Sequence, residues 1–182
     1  MTSSTKSSTG RIPLLEPEDM TPEQRAAYDK SPAHRTNLGR LMGQAKTLAP
    51  KFAEFNVVMA TTITVPAEER ELMCLATLHL DRGEYEWAQH MAVAKMMGIP
   101  QAKVDAIAND RFGDPVFSER EKALLAFTRQ VVKTVRVDDF VFNAVAAFYT
   151  PRQIVESIFV ITNYLQVLRI SEVAELPIDG IV

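Results

Sequence analysis

Two carboxylates and one imidazole in the middle of the chain have the spacing of groups that exchange protons. Glu86 and His90 are four residues apart in the stretch GEYEWAQH, which places them one turn apart on a helix. Glu71 lies in the preceding apolar run, where it shares a helix face with Cys74 and Leu75. The spacing predicts that Glu71, Glu86 and His90 all point inward.

An unpaired carboxylate that faces a protein core commonly costs several kcal/mol, so we expect these three groups to be partners of one another. Glu86 also lies close to the predicted start of its helix, where the helix dipole favours a negative charge. Two carboxylates beside one imidazole suit proton transfer near neutral pH. The alternative is a buried polar cluster that only orients the helices, and the sequence leaves both interpretations open.

The same groups, together with His79, could supply oxygen and nitrogen ligands to a metal ion. Their spacing matches neither H-E-x-x-H nor the Glu-x-x-His of di-iron proteins, because three residues separate Glu86 from His90. We therefore predict no metal. The neighbouring Tyr85 and Trp87 are predicted either to pack in the core or to line a substrate pocket.

Helix signals are strong on both sides of this stretch. Three hydroxyl residues are each followed, three positions later, by Glu or Gln, the capping-box pattern of a helix start: Thr21, Ser118 and Thr150. Apolar residues recur at helical spacing in 48–63, 66–80, 100–108, 118–135, 140–149 and 151–168, and a further helix ends near Gly98. No segment alternates like a strand, so we predict an all-α fold. One domain is expected over residues 11–182, after a disordered lead-in over residues 1–10.

Composition limits the partners of the protein. The 182 residues are 47% hydrophobic and carry a formal charge of -3, with no cluster of Lys and Arg, so we predict neither a nucleic-acid nor a membrane partner. The polar N-terminus lacks the apolar region of a signal peptide, and a cytoplasmic protein is the simplest expectation. The helix over 151–168 is apolar on most sides, which favours a central helix or one that meets a second subunit in a homo-oligomer.

The stretch RELMCLATLHLDRGEYEWAQHMAVAKMMGIP resembles the carboxymuconolactone decarboxylase family, which includes the AhpD-like alkyl hydroperoxidases. The resemblance rests on an Arg-Glu-Leu helix start, YEWxxH and a Gly-Ile-Pro ending, and it extends over about residues 11–170. It implies an AhpD-like helical bundle that assembles as a trimer or hexamer, with active sites near subunit contacts.

Carried residue by residue, the resemblance places the family's helix Glu at Glu71 and its site His at His90. In the peroxidase branch a Cys-x-x-Cys pair precedes that His by seven and four residues, and these positions are Gly83 and Glu86 in this chain. A thiol peroxidase needs a nucleophilic thiolate and a resolving thiol. The resemblance therefore implies the branch that works without cysteines.

The decarboxylase branch implies a cofactor-independent lyase that acts on a small unsaturated carboxylate or lactone. In this interpretation His90 donates a proton or stabilises an enolate, Glu86 is its partner or a second acid–base group, and Glu71 orients them. Tyr85 and Trp87 would bind substrate. The cation for the anionic substrate is assigned to Arg40, with Arg169 as a weaker choice.

Two other functions remain as alternatives. An AhpD-like hydroperoxidase would have to act through the single cysteine, Cys74, which lies one turn from Glu71. A non-catalytic, oligomeric ligand-binding protein would use the polar cluster only for structure.

Overall fold

The described part of the computed structural model, residues 10–179, contains helices joined by short turns and no β-strand. The all-α prediction is confirmed. The predicted disordered lead-in over residues 1–10 lies, apart from Gly10, outside the described residues. The α-helices are α1 (Pro22–Lys30), α2 (Asn37–Met42), α3 (Ala49–Thr61), α4 (Ala67–Asp81), α5 (Glu84–Met96), α6 (Gln101–Ala108), α7 (Glu119–Thr134), α8 (Asp139–Ala146) and α9 (Pro151–Val173).

The described residues divide into two compact units, 10–58 with 170–179, and 59–169. In the first unit, the Thr21 hydroxyl and the Gln24 side chain form the predicted capping box at the start of α1. The C-terminal segment is fixed to α2, because the Asn37 backbone N–H donates to Asp179 Oδ1 at 2.8 Å. The Asn37 side-chain amide donates to the Pro177 carbonyl at 3.0 Å.

Helix α4 is the centre of the second unit and packs against α5, α6 and α7. It is apolar around most of its circumference, so nearly every residue from Glu69 to Leu80 is buried. Its main apolar partners come from the neighbouring helices and from the turn before α7: Ala94, Val104, Ile107, Leu125 and Phe117. The polar side chains that this helix carries are therefore fixed by dense packing.

Ion pairs connect α4, α6 and α7 at the edge of this core. Lys103 Nζ lies 2.8 Å from a Glu68 oxygen and 2.5 Å from a Glu121 oxygen. Burial alone would raise the pKa of Glu121, but hydrogen bonds from Lys103 and Ser118 hold this pKa below its ordinary value. Burial opposes the charge of Lys103, whereas Glu121 and Glu68 raise the pKa of this lysine.

A tight turn between α4 and α5 sets the direction in which α5 leaves. Arg82 has a left-handed backbone with φ 64° and ends α4. At Gly83, an added Cβ would lie only 2.8 Å from Cβ of Leu168 and 3.2 Å from Leu78 Cδ2. The glycine therefore allows α9 to approach the start of α5 closely.

Helix α9 begins as predicted, with the Thr150 hydroxyl accepting from the Gln153 backbone N–H at 3.3 Å. It continues past the predicted end to Val173, and residues 10–179 do not cover it on all sides. Four large apolar residues are exposed on α9: Val155 (52%), Ile158 (39%) and Phe159 (51%), which lie within five positions of one another, and Val173 (65%) at its end. By length and composition alone α9 could cross a membrane, a criterion that core helices of soluble proteins also meet.

Candidate active site

Glu71 of α4 and His90 of α5 meet inside the second unit. Glu71 Oε1 lies 2.7 Å from His90 Nδ1, and the two side chains are 6% and 17% exposed. The sequence placed both residues on inward faces of adjacent helices, and the structure brings them into direct contact. A hydrogen bond this short and this well shielded from water gives the imidazole a defined orientation.

The Glu71 carboxylate also decides which ring nitrogen of His90 carries a proton. An ionised carboxylate can only accept hydrogen bonds, so the Nδ1 atom that faces it must be the donor. The other ring nitrogen, Nε2, is then available to give or take a proton. A carboxylate that orients an imidazole in this way is a common part of acid–base sites.

Cys74 lies one turn along α4 from Glu71 and is completely buried. Burial and the negative charge of Glu71 raise the pKa of its thiol well above the ordinary value, and a hydrogen bond from Tyr164 only partly opposes this. The thiol is therefore protonated at neutral pH and is a poor nucleophile.

Ligand atoms of Glu71, Cys74 and His90 all lie within 4.8 Å of one another. Carboxylate oxygen, thiolate sulfur and imidazole nitrogen are all ligands of zinc, and three protein ligands would leave one position open. These three residues are thus the set that could hold a metal ion in this unit, and the sequence-based expectation of a metal-free site stays a prediction.

Tyr164 of α9 completes the cluster and was not identified from the sequence. Its ring meets the His90 ring edge-on, with centroids 5.0 Å apart and an interplanar angle of 89°. Burial, Cys74 and Glu71 raise the pKa of its hydroxyl well above the ordinary value, so Tyr164 remains a neutral phenol. No local pattern identifies this residue, because its contacts come from a helix more than seventy positions away in sequence.

Glu86 is buried as predicted, with 3% exposure, close to the start of α5. Nδ1 of His90 bonds to Glu71 rather than to Glu86. The Glu86 carboxylate is nevertheless within electrostatic range of the cluster, since its charge contributes to the raised pKa of Cys74. Glu86 is therefore placed to influence the cluster through its charge.

The two aromatic residues predicted to bind substrate lie in different surroundings. Tyr85 is 2% exposed and belongs to the core. Trp87 is partly buried and packs against the small cluster of Cys74, Leu78 and Leu168. Trp87 therefore belongs to the apolar surroundings of Cys74, which is part of the candidate site.

The two cations suggested from the sequence have partners elsewhere. Arg40 belongs to the first unit, where its guanidinium contacts the Glu16 carboxylate and donates to the Leu15 carbonyl at 3.2 Å. Arg169 pairs with Asp81 at 2.7 Å. These contacts give both arginines structural partners.

Comparison with known proteins agrees with this description. Residues 50–130, which include Glu71, Cys74, Glu86 and His90, match the sequence model of the carboxymuconolactone decarboxylase family. No curated protein sequence matches the chain significantly.

Solved structures with the same fold include AhpD-like proteins and a dehalogenating enzyme. An uncharacterised peroxidase-related protein from Ralstonia eutropha, described as an alkylhydroperoxidase AhpD core, has a TM-score of 0.81 at 16% identity, over 94% of this chain and 93% of its own. The debrominase Bmp8, in a complex with 2,3,4-tribromopyrrole, has a TM-score of 0.76 at 18% identity, over 98% and 95% of the two chains. At these identities the likeness establishes the AhpD-like fold and no more.

Proposed function

We propose that this chain, whose residues 50–130 match the sequence model of the carboxymuconolactone decarboxylase family, is a cytoplasmic, cofactor-independent lyase. Its substrate would be a small unsaturated carboxylate or lactone, and its chemistry would be acid–base catalysis. The observation that carries the proposal is the shielded 2.7 Å hydrogen bond between Glu71 and His90, which leaves Nε2 of His90 for proton transfer.

The reaction needs only a proton donor and a site that accommodates the developing charge. As the substrate carboxylate leaves as carbon dioxide, the electron pair of the broken carbon–carbon bond moves into the adjacent carbonyl or unsaturated lactone. His90 in its imidazolium form then donates the Nε2 proton to this carbon and a C–H bond forms. Water returns a proton to Nε2, and the hydroxide left behind combines with the released carbon dioxide as bicarbonate. Glu71 accepts the Nδ1–H throughout and keeps the ring oriented.

Tyr164 and Cys74 support this chemistry as neutral groups. Both have pKa values raised by burial, so neither adds a negative charge beside Glu71 at neutral pH. The edge-on contact of Tyr164 also restricts rotation of the His90 ring. At neutral pH Tyr164 and Cys74 therefore add no charge beside the Glu71–His90 hydrogen bond.

Two observations weigh against a thiol peroxidase. The Cys74 thiol is completely buried and its pKa is raised, which is the reverse of a reactive cysteine. At Gly83, the position of the first peroxidase cysteine, even a Cβ would lie 2.8 Å from Leu168 Cβ. The fold is close to that of AhpD-like proteins, but its packing in this chain favours acid–base chemistry.

The experiment is a turnover assay with metal-free protein on carboxymuconolactone and other small unsaturated acids, followed by loss of ultraviolet absorbance and release of carbon dioxide. We expect His90→Ala and Glu71→Gln to lose most of the activity, by about 100-fold or more. His79→Ala is the matched control, because His79 pairs with Asp110 outside the cluster. Unchanged rates in both cluster variants would refute the site, and peroxide turnover that disappears in Cys74→Ser would favour the alternative.

We also propose that the protein is a homo-oligomer that covers the exposed apolar face of α9. Val155, Ile158 and Phe159 lie close together on this helix, and covering them would remove apolar surface from water. Val155→Lys combined with Phe159→Lys should lower the oligomer mass measured by light scattering. An unchanged mass would exclude this face as the contact.

A further inference from the structure

Arg70 immediately precedes Glu71 on α4 and lies one turn before Cys74. Its side chain is half-buried, and its Nη1 atom donates to the Met59 and Ala60 carbonyls at 3.2 and 3.1 Å. These carbonyls lie in the last turn of α3, where a positive charge is favourable. The contact uses one of the three guanidinium nitrogens and fixes the side chain in place.

Arg70 differs from every other shielded cation of residues 10–179. The other Lys and Arg residues of intermediate burial each contact a carboxylate: Arg40, Lys103, Arg120 and Lys122. Within the same residues Arg70 has no carboxylate partner, and its Nε and Nη2 atoms have no hydrogen bond. The Nε and Nη2 atoms are also not among the buried unpartnered side-chain atoms of these residues, so this edge of the guanidinium is accessible to a ligand.

The charge of Arg70 acts on the Glu71–His90 cluster. Burial and nearby acidic groups raise the pKa values of Cys74 and Tyr164, and Arg70 opposes both increases. This cation is therefore within electrostatic range of the groups beside His90. Arg40 and Arg169, by contrast, are already neutralised by Glu16 and Asp81.

The Nε and Nη2 atoms form one edge of the planar guanidinium, and this edge matches the two oxygens of a carboxylate. We propose that Arg70 binds the carboxylate of a small unsaturated acid through this edge and so presents the acid to His90. The inference rests on the proposed function and deepens it, because it limits the ligands to carboxylates rather than neutral lactones.

The test compares a charged probe with its neutral analogue. Sorbate is a small unsaturated carboxylate, and sorbamide has the same carbon skeleton without the charge. Binding of each to the full chain is measured by calorimetry for wild type, Arg70→Gln and Arg70→Lys. Arg82→Gln is the control, since Arg82 is an exposed arginine at the other end of α4.

Wild type should bind sorbate more tightly than sorbamide, and Arg70→Gln should weaken sorbate binding on the order of 10- to 100-fold. Arg70→Lys should bind sorbate with an affinity between those of wild type and Arg70→Gln, because an ammonium keeps the charge but cannot form the bidentate pair of hydrogen bonds. Sorbamide binding should not change in any variant, and Arg82→Gln should resemble wild type.

Equal sorbate affinity in Arg70→Gln and wild type would overturn the inference, as would equal binding of sorbate and sorbamide, or no binding of sorbate, by wild type. Unfolding midpoints identify any variant that is destabilised because it lacks the hydrogen bonds to the carbonyls at the end of α3. Arg70→Lys retains a donor for those carbonyls. His90→Ala separates the two proposals, because it should abolish turnover while it keeps the preference for sorbate over sorbamide.

Discussion

The energetic coupling between Glu71 and His90 can be measured without knowing the substrate. The perturbation is a double-mutant cycle of Glu71→Ala, His90→Ala and the combined variant. Two charges 2.7 Å apart at an effective dielectric constant of about 20 attract by about 6 kcal/mol before desolvation. The cost of removing both groups from water offsets most of this attraction. Hydrogen bonds that involve a charged group contribute a net 1.5–3 kcal/mol, roughly, and we expect a coupling free energy of this size.

The two single variants should not cost the same. Glu71 is 6% exposed and His90 is 17% exposed, so an unpaired carboxylate in His90→Ala is shielded from water more than an unpaired imidazole in Glu71→Ala. We therefore expect His90→Ala to lower the free energy of unfolding by about 3–5 kcal/mol, and Glu71→Ala to lower it by less.

The assay is urea unfolding at pH 7, followed by the fluorescence of Trp87. Trp87 is the single tryptophan of the chain and packs beside Cys74, so it reports on the unit that contains the site. A control cycle on His79 and Asp110 uses the same kinds of group at 3.4 Å, with 25% and 61% exposure, and should give a coupling below about 0.5 kcal/mol. The reasoning would be refuted if the coupling between Glu71 and His90 were as small as that of the control pair. It would also be refuted if Glu71→Ala lowered the free energy of unfolding more than His90→Ala.

Three further predictions concern the surroundings of the site. The Cys74 thiol should react with a disulfide reagent far more slowly than a free cysteine at pH 8 and rapidly after unfolding, because its raised pKa keeps it protonated; fast labelling of the folded protein would contradict this. Glu121 has a lowered pKa and Lys103 a raised one, so their pair stabilises the fold between the ordinary values of 4.5 and 10.5. This stability is lost as the pH falls through the folded pKa of Glu121 or rises through that of Lys103. In urea titrations the free energy of unfolding of Lys103→Met should be about 2 kcal/mol below that of wild type at pH 7. This difference between the two proteins should become smaller at low and at high pH. A difference that does not change with pH would argue against the ion pair. In the same assay Gly83→Ala should lower the free energy of unfolding by about 1–3 kcal/mol, because the added Cβ would clash with α9. An unchanged free energy of unfolding would show that α9 can move away at little cost.

Much of the fold followed from local chemistry. The capping boxes at Thr21, Ser118 and Thr150 were predicted from residues three positions apart, because a helix start is stabilised by groups within its own first turn. Helix ends were less predictable: α9 continues to Val173, since nothing after Leu168 breaks a helix before the chain turns.

The inward direction of Glu71, Glu86 and His90 was also contained in the sequence, because a helix puts residues three, four and seven apart on one face. Only the tertiary structure decided which of them pair. His90 bonds to Glu71, nineteen residues away, rather than to Glu86 on its own helix, because the crossing of α4 and α5 sets that distance. The contribution of Tyr164, the unpaired charge of Arg70 and the lack of space at Gly83 likewise depend on contacts between distant segments, which no local spacing encodes.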